Sequence, residues 1–420
     1  MNKLFHQMRN EWRSNIWLVI ELLIVSIVLW FCIDRIVDYV SVLNEPRGHD
    51  ISHVYKITVG NTGTNESTRP GFEDMNELIE RIRRRPEIEA AAYSYGSTPY
   101  NGILNGAWVY NNDSVNSIYN TGNTIRRWVE PDFFKIYRIG GVRGESPEQL
   151  AEILRPGIQV FGAGEGLLVD KDGNVLNTVD YIGQQFELNG YPDHTLAAVT
   201  PQMKRFDYDK LQFSPRTCWD IMVPFATTNA NELSVRVRAN MDSPSFISNL
   251  MNDSESRLRV GSFFIMKVES MADLRRSTQM SWTINNRNYI IGAAFLLFNI
   301  FLGVLGSFWY RTRMRVPDIA VLKVFGATNA NIFRRFIGEG LLLLGIATPL
   351  AIFCEWLLLR YGLVKLPAEF GSFLTFNAIR QLAVIPALTC LLLALIIIAG
   401  ISVSARRAMK IAPATALRSE

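Results

Sequence analysis

The sequence predicts a membrane α-helical protein with four transmembrane helices and an α+β extracytoplasmic domain inserted between helices 1 and 2. Three observations carry this expectation. Four apolar runs are each long enough to cross hydrocarbon, and about 250 residues of mixed composition separate the first run from the other three. Lysine and arginine cluster in the short flanks that four spans would bring to one side of a membrane. Charged residues make up 20% of the 420-residue chain yet almost avoid those runs, as expected where an unpaired charge in hydrocarbon is costly. A formal net charge of +4 is too small for a nucleic-acid protein, so no nucleic-acid partner is expected.

Residues 1–15 place Leu4, Phe5, Met8 and Trp12 on one helical face with Lys3, Arg9 and Arg13 nearby, which reads as an amphipathic cytoplasmic helix against membrane lipid. Residues 16–33 form the first span, interrupted only by Glu21; at ~1.5 Å per residue the run just crosses a ~30 Å core. The Asp-Arg-Ile-Val-Asp-Tyr that follows offers no A-x-A cleavage site, so an uncleaved anchor is expected rather than a signal peptide. The other spans fall at 288–310, 336–359 and 382–403, with Trp309, Tyr310 and Trp356 near their ends, as aromatic rings at headgroup level would lie. Lys3, Arg9 and Arg13, then Arg311, Arg313, Arg315, Lys323, Arg334 and Arg335, then Arg406, Arg407, Lys410 and Arg418 belong on one side. Both termini, the 311–335 connection and the 404–420 tail are then cytoplasmic, and 360–381 is an outer loop.

The insertion, residues 34–287, carries 27 basic and 32 acidic residues, a soluble balance. It opens with a β-α-β pattern: a strand from His53 to Val59, a helix from Phe72 to Arg84 closed by Pro86, and a strand from Glu89 to Tyr95. Short strands are expected at Ile158–Val160, Gly166–Val169, Gln185–Leu188, Leu196–Val199, Ile221–Val223, Leu233–Val237 and Phe263–Val268, with a helix over Ser243–Asn252. One lobe or two both fit this pattern. Arg81, Arg83, Arg84 and Arg85 form the densest basic run, which suits an anionic partner, but Glu77 and Glu80 on the same helix make a solvated face the simpler reading.

No catalytic constellation is evident. Gly162–Asp170 has glycines but lacks the lysine and hydroxyl residue of a phosphate loop, so the chain is not expected to be an enzyme by itself. His49 and His53 are spaced i, i+4 but lead into a strand, so they read as ordinary histidines rather than metal ligands. No G-x-S-x-G elbow is present. Cys32, Cys354 and Cys390 lie in apolar runs, which leaves Cys218 as a small core residue of the domain. Glu21, Glu339 and Glu355 lie inside spans, where acids are candidates for ion or proton coupling; their positions near the faces favour interfacial or interhelical polar contacts instead.

In the 311–335 connection, Pro317 suits a helix start and Gly326 a helix end, and Ile319, Leu322 and Phe325 follow helical spacing as an apolar stripe. Here the chain resembles the FtsX-like permeases, membrane subunits of ABC systems. Asp318-Ile-Ala-Val-Leu-Lys-Val-Phe-Gly-Ala327 is similar to that family's E-I-G-I-R-K-A-L-G-A, departing at Asp318, Ala320 and Leu322. The ending from Ala405 to Glu420 resembles its A-R-R-A…P-x-x-A-L-R-x-E tail. In the insertion, Val129-Glu-Pro-Asp-Phe-Phe-Lys-Ile-Tyr resembles the V-x-x-D-F-F-x-V motif of a MacB-type periplasmic core, and Tyr181-Ile-Gly-Gln-Gln-Phe-Glu-Leu-Asn-Gly190 its P-V-G-K-x-I-x-L-N-G segment.

The resemblance implies a multi-pass permease of the bacterial inner membrane that works by mechanotransmission. Pro317, Asp318, Leu322, Lys323, Phe325 and Gly326 would form a coupling helix against a separate ABC ATPase subunit, which binds the ATP; no cofactor is expected in this chain. A homo- or heterodimer with a related permease is implied, with a periplasmic adaptor and an outer-membrane channel as further partners. The exported or released material would be a peptide, drug, lipid or lipoprotein. The alternative is a membrane sensor whose external domain binds a ligand or controls a periplasmic partner without transport.

Overall fold

The computed structural model describes residues 12–62, 69–111, 113, 117–120, 124–163, 167–211, 214–221, 232–314, 319, 321, 323–361 and 383–409. The chain divides into two compact units, residues 41–282 and residues 1–40 with 283–420. The first long helix, α1 (Trp12–Asn44), continues well past the apolar run that announces it. Hydropathy marks where hydrocarbon suits the side chains; backbone hydrogen bonding continues into polar sequence.

In the 41–282 unit, β1 (Val54–Asn61), α2 (Arg69–Arg83) and β2 (Ile88–Tyr95) supply the expected β-α-β pattern. Three strands follow, β3 (Val109–Tyr110), β4 (Ile118–Asn120) and β5 (Thr124–Val129), then the short helices α3 (Phe133–Tyr137) and α4 (Pro147–Ile153). Next come β6 (Ile158–Ala163), β7 (Leu168–Asp170), β8 (Val175–Leu176), β9 (Gln185–Leu188), β10 (Tyr191–Pro201), β11 (Arg216–Ile221) and β12 (Glu232–Val237). The unit ends with α5 (Phe246–Asn252), β13 (Phe263–Ser270) and α6 (Met271–Thr278). The strands between Tyr95 and Tyr137 and the helices α3 and α4 go beyond the sequence pattern. Of the expected Ile221–Val223 strand, Ile221 is the last described residue of β11, and Met222 and Val223 lie outside the described residues.

The described strands form one thirteen-stranded sheet in the order β13-β1-β12-β2-β5-β11-β6-β10-β9-β3-β4-β7-β8. β1 and β2 are not neighbours. β12 lies between them, antiparallel to both, so the opening β-α-β is split by a strand that arrives about 140 residues later in the chain. Both faces of this part of the sheet are covered. Ile57, Val59, Tyr93, Leu233 and Val235 pack with Met75, Leu78, Ile79 and Ile82 of α2 and with Phe246 and Leu250 of α5. The α2 positions follow i, i+3, i+4, i+7, the stripe a helix needs to bury one face.

Ala90 and Ala92, alternating with those residues along β2, share the other core with Phe133, Phe134, Ile136 and Tyr137 of α3, Leu150 of α4 and Trp219 of β11. The V-x-x-D-F-F resemblance therefore falls on packing residues. Phe133 and Phe134 lie 5.7 and 5.4 Å from the Trp219 ring, and Tyr137 Oη is 2.9 Å from Ser234 Oγ. A third cluster, with Val109, Phe161, Phe186, Leu188, Leu196, Val199 and Cys218, serves the remaining strands. Between β9 and β10 the Leu-Asn-Gly sequence makes a two-residue turn. Asn189 has φ 52° and Gly190 φ 84°, the pair of positive angles that a type I′ hairpin requires.

After α6 the chain forms α7 (Met280–Met314), α8 (Asn329–Arg360) and α9 (Ile385–Met409). With α1 they are the four described helices long and apolar enough to cross a membrane. Their shared core holds Leu18, Leu22, Leu29 and Trp30 of α1, Ile300 and Val304 of α7, Leu343 and Ala347 of α8, and Leu393 and Ile397 of α9. Phe295, Phe298, Leu302, Phe353, Leu391 and Leu395 point outward instead.

Candidate functional site

The connection between α7 and α8 is the segment with a sequence-level assignment. Pro317, Asp318 and Leu322 of the expected coupling helix lie outside the described residues. Of the rest, Ile319, Val321, Lys323 and Val324 are helical. The Phe325 N–H donates to Val321 O at 3.1 Å, and the Gly326 N–H donates to Lys323 O at 3.0 Å. Gly326 has φ 86°, the left-handed conformation that ends a helix without a Cβ penalty. α8 then starts from Thr328, whose Oγ1 accepts from the Asn331 N–H at 3.3 Å.

The expected apolar stripe divides. Ile319 is buried in the core of the long helices, whereas Phe325 is 85% exposed and Val324 67% exposed. Val321, three and four residues before them, is exposed too, so among the described residues Val321, Val324 and Phe325 share one outward face. Ile319 belongs to the opposite face.

The three acids within the long helices differ from one another. Glu21 packs against Gly303 of α7, where no side chain intervenes. Glu339 is buried and partnered. Glu355 is 2% exposed and its Oε2 has no hydrogen-bond partner among the described residues, while Arg360 is exposed.

In the 41–282 unit the arginine run is only partly a solvated face. Arg81 pairs with Glu77 at 2.6 Å as expected, but Arg83 also reaches Glu130 at 3.2 Å and Asp132 at 3.6 Å, and Arg85 reaches Glu87 and Asp253, both at 2.7 Å. These arginines tie α2 to distant loops. The two histidines turn their Nδ1–H groups to different acceptors, His49 to Arg47 O at 3.0 Å and His53 to Asp242 Oδ2 at 2.5 Å; the Tyr55 hydroxyl donates to the same carboxylate at 2.6 Å. A cleft of about 480 Å3 opens here, lined by Arg47, His53, Tyr55, Asp242 and Arg275 among others. Burial pushes the Cys218 thiol well above its ordinary range, so it is a core residue with no thiolate character.

Several charges invisible to sequence reasoning are buried: Arg127, Lys204, Asp207, Asp220 and Arg236. Arg127 donates to Ser97 O at 2.7 Å and stacks on Trp219, and burial lowers its pKa to about 9. Arg126 pairs with Asp220, and Arg236 donates to Ile136 O at 2.6 Å. Their partners lie about 30 to 190 residues away in sequence, and no local spacing signals them.

No protein-family model matches the chain, and no protein of curated function matches it. Among solved structures, the periplasmic region of MacB from Actinobacillus actinomycetemcomitans is similar at 15% identity, covering 59% of this chain and 98% of that one with a TM-score of 0.31. The extracellular domain of the noncanonic ABC-type transporter YknZ from Gram-positive bacteria is similar at 9% identity, covering 50% of this chain and 100% of that one with a TM-score of 0.30.

Proposed function

We propose that this chain is the permease subunit of an ABC transporter, coupling ATP hydrolysis by a separate ATPase subunit to motion of its extracytoplasmic domain. The observation that carries this reading is the exposed face Val321, Val324 and Phe325, which lies in the segment resembling the family's coupling helix. A large apolar side chain left 85% exposed beside two others on a short basic connection suits a partner's groove. The four long helices sit in the inner membrane with both termini cytoplasmic, and the outward Phe295, Phe298, Phe353 and Leu391 meet lipid or a second permease copy.

ATP-driven closure of paired ATPase subunits then moves the helices as rigid bodies, and the extracytoplasmic domain delivers that motion to export or release of a peptide, drug, lipid or lipoprotein, with a periplasmic adaptor and outer-membrane channel as further partners. Purification in mild detergent tests it. An ATPase subunit is expected to co-purify with the intact chain and to be lost from the Lys323→Asp, Phe325→Asp double variant. An ATPase retained by that variant overturns the assigned contact.

The cleft around Asp242 favours a second reading, a sensor whose domain binds a ligand without transport, since its volume suits a small molecule and its polar groups converge. Under that reading no ATPase co-purifies.

A further inference from the structure

The 41–282 unit joins the long helices through an inbound segment, the end of α1 and residues 45–53, and an outbound segment, α6 and the first residues of α7. The loop after β10, residues 202–211, touches both. On the inbound side, Lys204 is 1% exposed; its Nζ donates to Val42 O at 2.8 Å and pairs with Glu45 Oε2 at 2.8 Å. Its backbone N–H donates to Arg47 O at 2.9 Å, and the Leu211 N–H donates to Glu45 Oε2 at 2.8 Å. The ammonium therefore sits on a carbonyl of the last turn of α1, where a cation complements the helix dipole.

On the outbound side, Arg275 of α6 donates through Nε to Asp207 Oδ2 at 2.6 Å, with Nη2 at 2.5 Å from the same oxygen. The Tyr208 ring lies 5.7 Å from Trp282. Asp207 is the meeting point. It is 3% exposed and also takes Arg47 Nε at 3.4 Å and the Tyr100 hydroxyl at 3.0 Å on Oδ1. One buried carboxylate thus takes an arginine from each segment, and removing either arginine leaves that carboxylate short of a partner and loosens the loop that both segments hold, because a buried charge stripped of a partner is costly.

We propose that the 202–211 loop is a clasp that makes the inbound and outbound segments move as one, with Asp207 as the shared positioning carboxylate and Lys204 as the inbound anchor. The clasp stands on contacts within the 41–282 unit; only its consequence, that motion reaching either segment is delivered to the domain through both, rests on the proposed function.

Hydrogen–deuterium exchange of the full chain in detergent tests it. Arg47→Gln is expected to speed exchange of the α6 amides at least tenfold, and Arg275→Gln that of residues 42–47, while each effect shrinks to less than threefold in an Asp207→Asn background. Asp207→Glu, which keeps the carboxylate, should restore part of the protection. Arg47→Gln and Arg275→Gln each loosening only their own segment overturns the clasp, as does a cross-effect that persists undiminished in Asp207→Asn. If Asp207→Asn does not fold, the cross-effects of the two arginine variants and their non-additivity in the double variant decide the matter. Failure of an ATPase to co-purify leaves these exchange results standing and counts against the transporter reading alone.

Discussion

His49 shows how burial sets the chemistry of a side chain that sequence reads as ordinary. Its Nδ1–H is committed to Arg47 O, its ring meets Tyr100 edge-on at 6.0 Å, and its Nε2 is shielded from solvent with no partner among the described residues. Burial lowers its pKa from 6.5 to about 4. Between those values the unfolded chain binds a proton that the folded chain refuses, so stability rises with pH across the window and is lost as pH falls from 6.5 toward 4. The full shift corresponds to at most about 3 kcal/mol. His49→Gln should flatten this part of the pH profile, measured by thermal unfolding of the 41–282 unit within the full chain; an unchanged slope assigns the acid sensitivity elsewhere.

At the scale of single elements, two features carry measurable loads. Leu78 of α2 is fully buried among Ile57, Leu233 and Phe246, so Leu78→Ala should cost ~2–5 kcal/mol, read as a lower urea midpoint at unchanged slope. The Asn189-Gly190 turn depends on backbone that a β-branched side chain resists. Gly190→Val should cost ~1–2 kcal/mol through left-handed strain, while Gly173→Ala, at a similar φ of 82° but without a branched side chain, should cost less. α2 is legible in sequence as an i, i+3, i+4, i+7 stripe; the strand after Gly190 was expected only from Leu196, so the Asn-Gly hairpin was not. β3, β4 and α3 were not, because strands of two or three residues and a one-turn helix are too short to show a period.

For the whole molecule, the proposed topology makes a separate prediction. With native cysteines replaced, Asp172→Cys should react with a membrane-impermeant maleimide added to intact cells, and Ser419→Cys only after permeabilisation. The opposite pattern would reverse the orientation that the lysine and arginine flanks imply. The connection after α7 belongs to this scale too. A Gly-terminated helix with an apolar stripe is legible there in sequence, but the neighbouring helices decided that Ile319 enters their core and Phe325 stays outside.

Four apolar helices and an inserted α+β unit were determined by sequence alone, since hydropathy over twenty residues and helical periodicity act within one stretch of chain. Strand order was decided only by the tertiary structure. β12 separates β1 from β2 because register is chosen by burying both faces at once, against helices that lie far apart in sequence. Lys204 and Asp207 follow the same rule. An isolated lysine and aspartate in a polar loop look solvated until folding brings Val42, Arg47 and Arg275 around them, and partners 68 to 162 residues away leave no mark on the local pattern.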